Sequence, residues 1–71
     1  MKKSTLELQQ IGASGGGMII DAVGRSTLEL QQIAASAKGL VIIKNASTKS
    51  TLECQQIAAS GKDRVIFDFT A

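Results

Sequence analysis

Ser4 to Ser14 reads STLELQQIGAS, Ser26 to Ser36 reads STLELQQIAAS, and Ser50 to Ser60 reads STLECQQIAAS. Neighbouring copies match at ten of eleven positions, at offsets of 22 and then 24 residues. Self-similarity at a short period marks a repeat architecture, in which one supersecondary unit stacks on the next. Each copy opens with Ser-Thr-Leu-Glu, a capping box. The serine hydroxyl accepts from the backbone three residues on, and the glutamate reaches back to the serine N–H. The box falls at Ser4/Glu7, Ser26/Glu29 and Ser50/Glu53, where the glutamate also complements the positive end of the helix dipole. Leu, Gln and Ala fill most of the remainder and are good helix formers. Each block therefore predicts a helix of about 11 residues, too short to stand without tertiary packing.

Outward from the blocks, Gly15-Gly16-Gly17, Lys38-Gly39 and Gly61-Lys62 mark the helix exits, with glycine placed for a left-handed cap and lysine near the negative end. Three apolar runs follow: Met18-Ile19-Ile20, Leu40-Val41-Ile42-Ile43 and Val65-Ile66-Phe67. They are short and rich in β-branched residues, so they predict strands. The order is αβαβαβ, and strands joined through a helix run parallel with right-handed crossovers. Residues 1–71 are expected to form a single domain of three repeats, 4–25, 26–49 and 50–71. Three helices of nearly one sequence belong in nearly one environment. The expected fold is α/β, a three-stranded parallel sheet in order 1-2-3 with every helix on one face, like a short solenoid. A doubly wound sheet would place one helix on the opposite face.

Aligning the strands on their charged residues separates two faces. Met18, Ile20 and Ala22, with Val41, Ile43 and Asn45, and Val65, Phe67 and Phe69, make the more apolar face, expected to meet the helices. The other face carries Ile19 and Asp21, then Leu40, Ile42 and Lys44, then Arg64, Ile66 and Asp68, which sets an isoleucine row, Ile19-Ile42-Ile66, beside a charge row, Asp21-Lys44-Asp68. Order 1-2-3 sets the lysine between two aspartates, the favourable cross-strand arrangement. Parallel sheets are normally covered on both faces, and neither outer strand belongs to a polar capping repeat of the kind solenoids need. A second copy is therefore expected to cover the bare face or to add strands at an edge, making the chain a homodimer or larger assembly. On the helices, Leu8, Ile11 and Gly12 share a face at helical spacing, as do Leu30, Ile33 and Ala34, and Cys54, Ile57 and Ala58. Leu6, Leu28 and Leu52 point away from it, either between adjacent helices or onto a second contact surface.

Composition narrows the function classes. A chain this short has a marginal core, and association is a common compensation. With one cysteine, Cys54, no disulfide closes within the chain, and with no histidine a zinc or iron–sulfur site is not expected. The net charge of +2, scattered over the chain, and the presence of only two aromatics, Phe67 and Phe69, speak against nucleic acid. No apolar run reaches the length of a membrane span, and the basic start is not followed by the apolar run of a signal peptide. The expected compartment is the cytoplasm. No cofactor is expected, and no catalytic set points to an enzyme.

Two features carry possible chemistry. A basic residue precedes each cap, at Lys3-Ser4-Thr5, Arg25-Ser26-Thr27 and Lys49-Ser50-Thr51. Helix N-termini attract anions, and these three fall at the carboxyl ends of strands, where α/β proteins usually bind ligands. A small anion or phosphate-bearing ligand is thus the alternative partner. Cys54 takes the place of Leu8 and Leu30, a core position, and has no histidine to activate it. The Gly15-Gly16-Gly17 run follows a helix instead of opening one, so it is not a phosphate loop.

The stretch from Met18 to Ser47, MIIDAVGRSTLELQQIAASAKGLVIIKNAS, resembles the latter part of STAS domains of the anti-sigma-factor-antagonist type. Their strand–loop–helix–strand run matches it in outline, with Asp21 before a loop bearing Ser26 and Thr27. The resemblance implies partner switching by phosphorylation of a serine in that loop. It covers under half of the chain. The opening strands of that family are absent, Val23-Gly24-Arg25-Ser26-Thr27-Leu28 stands in place of its Asp-Ser-Ser-Gly-Leu loop, and triplication is foreign to it. The leading expectation is a self-associating structural or protein-interaction module.

Overall fold

The computed structural model describes residues 4–70. Helices α1 (Thr5–Ala13), α2 (Thr27–Ser36) and α3 (Thr51–Gly61) alternate with strands β1 (Met18–Asp21), β2 (Val41–Lys44) and β3 (Val65–Phe67). Short 3-10 turns at Ala46–Thr48 and Lys62–Arg64 join β2 to α3 and α3 to β3. The strands form one parallel sheet in the order β1-β2-β3, as the repeat pattern predicts.

All three capping boxes form. Ser4, Ser26 and Ser50 each accept from the backbone N–H of their glutamate at 3.2 Å and donate their own N–H to its Oε1 at 2.8 Å. The helix exits differ from expectation. Only α1 turns on a left-handed glycine, Gly15, at φ 103°. Helix α2 ends on Ala37 in extended conformation, and beyond α3 it is Lys62, not Gly61, that adopts positive φ, 57°. Gly61 is glycine for another reason. A Cβ there would run into Val65 Cγ2 and lie 3.0 Å from Ala34 Cβ.

One apolar cluster lies between the layers. Leu8, Leu30, Ile33, Ala34 and Ile57 from the helices pack with Ile20, Val41 and Ile43 from the sheet, and Met18, Val65 and Phe67 join at its margin. The side chains that alternate with these along the strands stay outside, so the helices cover one face only. One assignment to the helix-facing side is corrected. Asn45 leaves the strand at φ 57°, and its amide donates to Asp21 Oδ1 at 2.9 Å. Phe69, beyond the end of β3, keeps the helix side: although 58% exposed, it stacks on Phe67 with ring centroids 5.8 Å apart and flanks Cys54 and Ala58 of α3.

Candidate functional site

The uncovered sheet face has the register expected of it. Ile19 pairs with Ile42 and Ile42 with Ile66, while Asp21 pairs with Lys44. Asp68 extends the second pairing past the end of β3: its N–H donates to the Ile43 carbonyl, and its carbonyl accepts from Ala46 N–H. Lys44 thus lies between Asp21 and Asp68. Ile19 is 66% exposed, Ile66 45% and Leu40 51%, and Ile42 between them is half-buried. A large apolar side chain on each of three adjacent strands therefore meets solvent, rimmed by charge at the carboxyl end.

The helix starts stand side by side, tied by bonds that run from each repeat to the next. Thr5 Oγ1 donates to Glu29 Oε2 at 2.7 Å, and Thr27 Oγ1 donates to Glu53 Oε2 at 2.7 Å. Arg25 Nη1 donates to Thr5 Oγ1, and Lys49 Nζ donates to the Arg25 carbonyl. Each of these glutamates therefore works twice, closing its own capping box through Oε1 and binding the preceding repeat through Oε2. That second bond is the part not foreseen; its signal is the identity of Thr and Glu in every copy, which capping alone demands only of the glutamate.

These donors stabilise the carboxylates. Glu29 is held below its ordinary 4.5 first by the Ser26 N–H and then by the Thr5 hydroxyl. Glu53 is lowered to about 2, chiefly by the Thr27 hydroxyl and next by the Ser50 N–H. Of the expected anion ligands, Ser4, Ser26 and Ser50 are engaged as caps, and Thr5, Thr27, Arg25 and Lys49 in the inter-repeat bonds. Thr51 is exposed, and Lys3 lies outside the described residues.

Cys54 Sγ lies 3.8 Å from the Ala46 carbonyl, and burial pushes its thiol upward. That is a packed thiol rather than an activated nucleophile. Among the described residues no group of three or more His, Cys, Asp or Glu side chains is placed to hold a metal ion, and no helix is long and apolar enough to cross a membrane. Leu6, Leu28 and Leu52, each 62% exposed, line the outer surface of the helix layer and do not pack between helices. No protein-family model, curated protein or solved structure matches the chain.

Proposed function

We propose that the protein is a self-associating structural module, and that copies join through the uncovered sheet face. The observation that carries this is the row Ile19-Ile42-Ile66, its outer members exposed and Ile42 half-buried, extended by the exposed Leu40, on a parallel sheet that has helices on one side only. Covering these partly exposed side chains is worth on the order of 5 kcal/mol per chain, comparable with the whole stability of a small domain. The alternation of Asp21, Lys44 and Asp68 at the rim supplies both signs of charge, which gives a second copy a register without a bulk repulsion. The module is assigned to the cytoplasm, where its lone thiol needs no oxidising partner.

Anion binding at the helix starts is the weaker candidate. Thr5, Thr27, Arg25 and Lys49 already have partners within the chain, and Ser4, Ser26 and Ser50 each occupy a backbone N–H that an anion would use. Titration with inorganic phosphate is expected to release no heat.

Sedimentation equilibrium at micromolar concentration tests the main reading. The expected particle is a multiple of the chain mass, and Ile42→Lys reduces it. A folded monomer for the unsubstituted chain defeats it.

A further inference from the structure

The two junctions between repeats are built alike. At the first, Thr5 bonds Glu29, and a Cβ on Gly12 would lie 3.1 Å from Ala37 Cα. At the second, Thr27 bonds Glu53, and Ala34 approaches Gly61 equally closely. In repeat register Thr5, Thr27 and Thr51 are one position, and Gly12, Ala34 and Ala58 another. Ala37 and Gly61 are a third, shared with Gly15. Helix α3 therefore presents to solvent the same surface that α1 offers α2 and α2 offers α3.

That surface is open. The Thr51 hydroxyl has no acceptor among the described residues, and beside it runs a groove of about 250 Å³ walled by Cys54, Ala58, Phe67 and Phe69. At the other end of the stack Ile11 is 41% exposed, whereas Ile33 and Ile57, at the same position in the next helices, are 0% and 1% exposed. The stack begins with an uncovered knob and ends with an unfilled socket.

We propose that the first repeat of a second copy seats on the third repeat of the first, so that the stack continues head to tail. Thr51 then donates to the second copy's Glu7, Ala58 faces its Gly15, Ile11 of that copy enters the groove, and its β1 pairs in parallel with the free edge of β3. The occupant is a second copy because α1 matches α2, the helix seated at the first junction, at ten of eleven positions, and α2 in turn matches α3, seated at the second, at ten of eleven. Such a contact joins two different surfaces, so it builds open chains, or rings where the rotation closes. It leaves the sheet face uncovered: the helix-level contacts use none of its isoleucines, and the β3–β1 pairing only extends that face edge to edge.

The junction has an internal signature. Inside the chain each aspartate of the charge row lies beside Lys44, but head-to-tail pairing sets Asp68 beside the second copy's Asp21. Like charges on neighbouring strands repel, so Asp68→Asn is expected to strengthen the contact about threefold.

The test uses full-length Ile42→Lys protein, in which the sheet face is blocked, and follows sedimentation velocity over a concentration series. Chain growth is expected. Ile11→Glu and Ala58→Arg, each added to that protein, stop growth. An equimolar mixture of the two forms a two-chain species, because one retains its socket and the other its knob. Growth that persists in either blocked variant, a mixture that stays monomeric, or no growth in the Ile42→Lys protein overturns the proposal. Circular dichroism checks the fold of each variant. In the unsubstituted chain, alkylation of Cys54 by iodoacetamide slows as concentration rises through the association range; a rate that stays constant while the particle grows also overturns it. Loss of association on Ile42→Lys alone bears on the sheet face, and loss on the end variants alone bears on the stack, so the two contacts fail separately.

Discussion

Glu53 shows how much one side chain does in this fold. Its Oε1 accepts from the Ser50 N–H at 2.8 Å and its Oε2 from the Thr27 hydroxyl at 2.7 Å, so protonating it weakens a cap and a junction together. The pKa of Glu53 is lowered from 4.5 to about 2, and that of Glu29 is lowered as well. Because the folded values lie below the unfolded one, these groups favour the folded state above about pH 4.5. That contribution is lost as pH falls through the window toward 2. Unfolding midpoints measured between pH 5 and pH 2 are expected to fall. Thr27→Val should flatten that fall and raise the Glu53 titration midpoint seen by NMR, through loss of the largest cause of its shift. Ser26→Ala, which removes a cap serine but leaves Thr27 in place, is expected to cost about 1 kcal/mol in urea unfolding. Lys62 is the residue at odds with its backbone, at φ 57° and ψ −131°, a region that glycine alone tolerates well. Lys62→Gly is expected to raise stability by about 1 kcal/mol by the same measurement.

At the level of elements, starts were more readable than ends. A helix start needs a hydroxyl and a carboxylate at a fixed spacing, and Ser-Thr-Leu-Glu states both within four residues. The exit depends on what lies across the junction. Gly61 was expected as a left-handed cap, yet it remains helical and is small because Val65 and Ala34 crowd it. Gly61→Val is therefore expected to destabilise by about 1–3 kcal/mol through overpacking, read from the urea midpoint. A substitution of Gly15, at φ 103° with no atom within 4 Å of its absent Cβ, acts through backbone strain instead. The strand faces were readable from alternation alone for Met18–Asp21 and Val41–Lys44. Alternation ceased to inform once the chain turned at Asn45, whose left-handed backbone serves the 3-10 turn that follows. The Thr–Glu bonds between repeats were hidden, because a threonine after a cap serine is unremarkable in any single copy.

For the whole molecule, the near-identity of the repeats determines which surfaces are left over. Stacking buries the middle unit: Leu30, Ile33 and Ala34 of α2 are fully buried, as are Val41 and Ile43 of β2. Of the same positions at the two ends, Leu8 and Ile57 are buried, but Ile11, Cys54 and Ala58 are only partly covered, and among the described residues no layer covers the sheet face opposite the helices. Such a chain gains stability from whatever covers it, and anything that binds only the folded form raises the unfolding temperature by mass action. The melting temperature of the unsubstituted chain is therefore expected to climb with protein concentration. With the sheet face blocked by Ile42→Lys the climb should shrink to what the end contact supplies, and adding Ile11→Glu should abolish it. Differential scanning calorimetry over a hundredfold range of concentration reads all three slopes. Equal slopes for the unsubstituted and doubly substituted chains would mean that neither surface takes part in assembly, and that the single chain is stable with its isoleucines facing water.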